Sequence, residues 1–420
     1  MRTPNTSSLP ADRPLGVAER FMWLMSRRFD NHATLTARVL GTTEVDRWRS
    51  ALDALVRRHP LLTARVEDTR TGPHIRFGAH RAVPLRVREL SQSSWQDQLS
   101  VEMHTPLDGA EGPLLRVTLL HGPDSCVVIL AGHHAVVDGL SFVHLTRDLL
   151  TLVSGGTPSG TPASDPVDPF IQEGVMAAAA LLPPEPDIVP SDLPGTFRDG
   201  PGKQLLVSAA ELTAGETAAL RRWAREEKTT VNGAVAAAVL ASGAALVPGW
   251  ETRTLRVHTP IQLRQFLPSR AEGAEGVGNI LAPATTGQPG TERDLGTAAR
   301  SFTDGLAPFR ETAAVMGSFA LWGTVLGQGI GPAQMCDMLA AVAPHDVLLT
   351  NLGALDLPVR YGELTLDALW GPSVFFGFEG EHTVGVNTLD GVLRLLHTSW
   401  SPGPALADAV RDRLLEAIAR

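Results

Sequence analysis

Two stretches near the middle of the chain constrain its fold more than any other feature. SGGTPSGTPASDPVD (154–168) and LPPEPDIVPSDLPG (182–195) are rich in Pro, Gly and Ser and carry no clear hydrophobic period. A chain of 420 residues is too long for one ordinary core. A composition break of this kind is where a domain boundary is expected. The expected organisation is a first half over residues 1–168, a linker over 169–200 and a second half over 201–420.

Both halves mix helical and strand signals. Residues 43–58 follow a helical period, with Trp48, Leu52 and Leu55 on one stripe and Thr43 as the expected N-cap. Pro60 ends that helix and is expected to begin a strand, PLLTARVED. Leu115, Val117 and Leu119 alternate as in a strand, HGPDS turns the chain, and CVVILAG returns as a buried strand. A helix follows with Phe142, Leu145 and Leu149 on one face. In the second half, Thr213 and Glu216 form a capping box, and an alanine-rich helix runs from about Val231 to Leu246. LRVHTPI, VLLTNLG, HTVGVNT and VLRLLHTSW read as strands, and Pro404 is expected to start a final helix. LGQGIG (326–331) reads as a flexible loop. The fold class expected is α/β or α+β, in two halves of similar size.

Composition excludes several functions. Hydrophobic residues make up 43% and charged residues 19%, which is globular. The net charge of −9 argues against nucleic acid as a partner, since that would call for a basic stripe. No stretch approaches the roughly 20 apolar residues of a membrane span, and the N-terminus lacks the pattern of a signal peptide, so a cytoplasmic location is expected. Cys126 and Cys336 have no metal-ligand or redox spacing, and no metal site is expected.

The chemistry concentrates in AGHHAVVDGLS, residues 131–141, where a buried strand gives way to a helix. Successive strand residues point to opposite faces, so His133 and His134 are expected to diverge, one toward a cavity and one inward. Asp138 and Gly139 stand at the helix entry. A carboxylate there can fix the turn through a cation, and a glycine allows close approach to the backbone. Imidazole takes and returns a proton near neutrality, which is what acyl transfer from a thioester requires. No G-x-S-x-G nucleophile elbow is present.

HHAVVDG matches the HHxxxDG signature of the condensation-domain and chloramphenicol-acetyltransferase-like superfamily without departure. RRHPLLTARV (57–66) and GPLLRVTLL (112–120) resemble family segments that precede the signature. PIQLR (260–264), GVGNI (276–280) and TNLG (350–353) are similar to its strand-end arginine, its "GN" element and its bridging "N-x-G" segment. The resemblance implies a V-shaped pair of chloramphenicol-acetyltransferase-like halves with the active site at their junction. It implies that His134 is the general base facing a tunnel, that His133 is structural, and that Asp138 pairs with Arg264. Backbone N–H groups near Gly139 would help to hold the oxyanion, and Ser141, Asn279 and Asn351 are further candidates for the tunnel or oxyanion site.

By this resemblance the chain is expected to be an acyltransferase without a covalent acyl-enzyme, in secondary-metabolite or lipid biosynthesis. No bound cofactor is expected. The donor would be a thioester of coenzyme A or of a phosphopantetheine carrier protein, and the acceptor a hydroxyl or amine on a small molecule or a carrier. The chain ends soon after the condensation-like unit, so both substrates are expected from solution or separate proteins, and the enzyme is expected to be a monomer. Arg20, Arg27 and Arg28, or Arg57 and Arg58, would guide the anionic donor. A carrier-bound aminoacyl epimerase and a non-catalytic binding protein are the competing expectations.

Overall fold

The computed structural model describes residues 9–78, 82–159, 195–198, 205–264, 277–290, 292, 294–400 and 405–419. Most of the expected linker and Pro404 lie outside them. Among the described residues, the backbone organises around two six-stranded sheets, one per lobe.

The centre of the first sheet is the buried strand Ser125–Gly132, antiparallel to Ala33–Leu40 on one side and to Leu115–His121 on the other. Leu85–Glu89 closes one edge, in parallel with Leu115–His121. The other edge is not supplied by the first half. Leu364–Ser373 pairs antiparallel with Ala33–Leu40 and carries Arg360–Tyr361 as its own neighbour. The division at residues 168 and 201 is therefore crossed by a hairpin of the second half. Sequence period could not reveal this, because a strand's alternation says nothing about which sheet it joins.

The second sheet runs in the order Thr285–Pro289, Thr254–His258, Val347–Ala354, His382–Leu389, Val392–Ser399 and Leu206–Leu212. Its central pairs, Val347–Ala354 with Thr254–His258 and with His382–Leu389, are parallel. Parallel pairs need crossovers: the connection from Thr254–His258 to Val347–Ala354 carries helices, and that from Val347–Ala354 to His382–Leu389 carries the strands Arg360–Tyr361 and Leu364–Ser373. Val231–Leu246, rich in alanine and valine, is buried along most of its length, since small side chains let the helices Leu295–Leu306 and Leu406–Ile418 pack close against it. No single helix among the described residues is long and apolar enough to cross a membrane.

Local expectations were changed where packing overrode pattern. The helix at 45–58 begins at Val45 with Glu44 as its N-cap, and Trp48, Ala51, Leu52 and Leu55 are its buried stripe. Thr43 is not the cap: its hydroxyl accepts from the Trp48 indole N–H at 3.0 Å, satisfying the donor of a fully buried ring. Pro60–Thr63 is a short 3₁₀ turn, and the strand starts only at Arg65. The expected LGQGIG loop is helical through Gly327, the end of Thr312–Gly327, and turns only before Pro332.

Candidate active site

The first sheet delivers the motif to the lobe junction. The His133 N–H donates to the Leu114 carbonyl at 2.9 Å as the strand ends, and the Val136 and Val137 N–H groups fold back onto the His133 carbonyl. His133 and His134 thus sit in a turn beyond Gly132 rather than on the strand. They diverge all the same, because the turn rotates successive side chains apart. The His133 ring packs inward against Trp23 and Gly109, and its Nδ1 accepts from the Ala135 N–H at 3.2 Å. Burial and the neighbouring His32 push its pKa down to about 3, so it stays neutral.

His134 turns the other way. Its Nδ1 lies 2.7 Å from the Val137 carbonyl, an acceptor only, so Nδ1 carries the proton and Nε2 keeps the lone pair. His134 forms part of the wall of a cavity that opens to solvent, with about 920 Å³ of empty space reaching to its mouth and beyond. Burial lowers its pKa, against the opposing effects of the Val137 bond and of Asp138. The ring is therefore a neutral base at pH 7. From the second lobe, the Asn279 side-chain N–H donates to the His134 carbonyl at 2.7 Å and fixes the backbone that carries the ring.

Asp138 caps the helix Gly139–Val153, accepting from the Ser141 N–H at 2.8 Å. Arg264 reaches across from the second lobe in a fork, with Nη1 at 2.6 Å from Oδ2 and Nη2 at 3.2 Å from Oδ1. The Ile280 N–H adds a bond to Oδ2 at 3.2 Å. Burial alone would raise the Asp138 pKa, but the Arg264 charge and these hydrogen bonds outweigh it and hold the pKa below the usual carboxylate value. The Ser141 hydroxyl lies 2.8 Å from Asp138 Oδ1 and 2.9 Å from the Gly278 carbonyl, and accepts from the Gly278 N–H at 3.0 Å. Asp138, Ser141 and Arg264, with Gly278 and Ile280, form a polar clasp between the lobes.

Two of the sequence candidates move out of the cavity. Ser141 is fully buried in the clasp, because its hydroxyl has better partners there than an apolar wall could offer. Asn351 donates to Asn232 at 3.0 Å and accepts from the Gly353 N–H at 2.8 Å, which fixes the end of its strand. Gly139 does reach the cavity wall, but its lack of a side chain also answers to packing. A Cβ there would stand 2.5 Å from Leu352 and 3.1 Å from Pro372. Asn279 lines the cavity too.

Sequence reading missed most of the cavity. Val17, Phe21 and Met22 come from the helix Val17–Ser26, and Phe319 and Trp322 from Thr312–Gly327. Phe21 and Trp322 meet edge to face with centroids 4.9 Å apart. The polar members of the wall are few: His134, Asn279, His258 and Thr350. Among the described residues no cluster of side chains could hold a metal ion.

A family model of the condensation domain matches residues 20–173. A second, of the C-terminus of phthiocerol/phthiodiolone dimycocerosyl transferase, matches residues 201–367. Nonribosomal peptide synthetase 5 of Gibberella zeae is 33% identical over 159 residues, covering 36% of this chain but 1% of that protein. The chain thus spans a small fraction of the first curated relatives it matches. Phthiocerol/phthiodiolone dimycocerosyl transferase of Mycobacterium ulcerans is 25% identical over 424 residues, covering 92% of this chain and 93% of that one. The crystal structure of the epimerization domain from the third module of tyrocidine synthetase B superposes with a TM-score of 0.68 at 16% identity, covering 100% of this chain and 98% of that one. Two lobes with the histidine turn at their junction define the chloramphenicol-acetyltransferase-like fold. The chain shares that fold, its first half resembling condensation domains and its second half the C-terminus of the dimycocerosyl transferase.

Proposed function

We propose that this chain is an acyltransferase, moving an acyl group from a thioester donor to a hydroxyl or amine with His134 as general base. The observation that carries the reading is the state of His134: Nδ1 is held as a donor by Val137, leaving a basic Nε2 on a ring that walls a large apolar cavity. As the acceptor oxygen or nitrogen attacks the thioester carbonyl, Nε2 takes its proton. The tetrahedral intermediate collapses, the carbon–sulfur bond breaks, and the imidazolium returns the proton to the leaving thiolate. The acyl group passes directly to the acceptor, with no covalent acyl-enzyme. Gly139, first residue of the motif helix, brings the positive end of that helix to the cavity wall, where it would stabilise the developing oxyanion.

The likeness to the Mycobacterium ulcerans transferase over nearly the whole of both chains supports transfer of an apolar acyl group, and so does the composition of the wall. The donor would be coenzyme A or a separate phosphopantetheine carrier, and the pathway one of lipid or secondary-metabolite synthesis. The similarity to an epimerization domain concerns the fold alone, since one fold hosts many chemistries. The test is a mass-spectrometric screen of acyl-CoAs and acyl carriers with candidate alcohols and amines. Thioester consumption that requires the acceptor and vanishes in His134→Ala supports the proposal. Stereochemical change with the thioester intact would replace it with epimerization, and inertness toward the whole panel would leave a binding protein.

A further inference from the structure

His258 lies on the cavity wall but belongs to the second lobe, at the end of the strand Thr254–His258. It has no part in the clasp. Its Nδ1 is 2.9 Å from the Thr285 hydroxyl, which fixes the ring about its own axis. Its face stacks on His345 with centroids 5.0 Å apart, and Phe376 meets it edge-on at 5.4 Å. The backing ring is itself held: His345 Nε2 is 3.0 Å from Glu381. Glu381 is buried and accepts from the backbone N–H groups of Phe376, Gly377 and Phe378 at 2.9–3.2 Å. Burial, then the nearby His345, push the His258 pKa well below its ordinary value, so the ring is a neutral hydrogen-bonding group. Among the described residues its Nε2 has no partner.

Such an arrangement orients a second imidazole, besides His134, in a cavity whose wall is mostly apolar. An apolar side chain would fill the same space without leaving a polar atom to satisfy. We propose that His258 is a specificity-determining residue: its Nε2 hydrogen-bonds a hydroxyl or carbonyl of the occupant, selecting a substrate that is apolar along most of its length and carries one such group within that length rather than only at its end. The inference rests on the acyl-transfer reading only in calling the occupant a substrate.

The probes are octan-1-ol and its positional diols, titrated calorimetrically, so that the readout does not depend on turnover. One well-placed partner for an imidazole nitrogen left open in such a site is expected to discriminate by about fivefold. Wild type should therefore bind at least one diol about fivefold more tightly than octan-1-ol. His258→Phe should bring the two within about twofold, with octan-1-ol binding as well as before or better. Thr285→Val, which leaves the imidazole in place but frees its ring, should weaken the preference and serves if His258→Phe does not fold. Failure of wild type to bind any of the set, absence of a diol preference, or a preference that survives in both variants overturns the proposal. A diol preference without acyl transfer would retire the transferase reading and leave this one standing. Transfer without the preference would do the reverse.

Discussion

On one side of the turn from His133 to Gly139, the Asp138 carboxylate is completely buried, with Oδ1 bonded to Ser141 and Arg264 and Oδ2 to Arg264 and Ile280, so that it joins the two lobes. On the other side, His134 keeps a basic nitrogen on a ring that walls an apolar cavity. The clasp spends its polar groups on each other, which ties the lobes and fixes the turn. The cavity leaves a few polar groups unspent, which is what a reaction needs. Seven residues of sequence serve both ends because a tight turn sends neighbouring side chains in opposite directions.

The sharpest way to test this division is His134→Ala. Turnover should fall by roughly 10²–10⁴-fold, the usual contribution of a positioned base, while the thermal midpoint stays near that of wild type. Turnover within threefold of wild type, measured once a substrate pair is known, would remove His134 from the chemistry. Asp138→Ala should do the opposite and act first on stability. Removing one partner of a buried pair leaves an uncompensated charge, a loss of about 3–5 kcal/mol, read by denaturant unfolding. Arg264→Ala should resemble it, and the double variant should be less than additive, since the 2.6 Å contact couples the two. Additive effects would break the clasp into two unrelated residues.

Acid should separate the two regions again. His133 and His397 have pKa values lowered to about 3, and His32 and His382 to about 4, chiefly by burial. Depressed values mean that the unfolded chain binds protons first as pH drops. The contribution of these neutral rings is fully present above roughly pH 6.5 and is lost as pH falls toward 4 and 3. The thermal midpoint should therefore decline from about pH 6.5 downward, before most carboxylates titrate. Because the His134 pKa is lowered as well, the acid limb of kcat/KM should lie below the ordinary histidine value. A limb above it would mean that another group is being titrated.

The smallest effect concerns the donor. Arg58 is committed to Asp148 at 2.8 Å, beside His59 at 3.0 Å, so the Arg57–Arg58 pair no longer offers a free fork. Arg27 and Arg28 are exposed at the end of the helix that lines the cavity, stacked over Trp23 and Phe29. If they guide an anionic donor, its KM should rise between low and physiological salt while the acceptor KM stays nearly flat. Arg27→Gln with Arg28→Gln should flatten the donor response. A donor KM indifferent to salt in wild type would discard the arginines.

By itself the sequence determined the local chemistry. The strand CVVILAG, the divergence of the two histidines and the helix after Gly139 follow from period and turn geometry within a few residues. So does the Thr213–Glu216 capping box, observed with both bonds made. Resemblance, rather than spacing, brought Asp138 and Arg264 into one sentence, since 126 residues separate them. What only the tertiary structure decided is which surfaces meet. It sent Ser141 into the clasp, gave Leu364–Ser373 to the first lobe's sheet, and brought Phe21, Trp322 and His258 around one cavity. The physical reason is that periodicity records which face of an element is buried and not what buries it. A cavity wall and a core stripe look alike in sequence until the opposing lobe either fills the space or leaves it open.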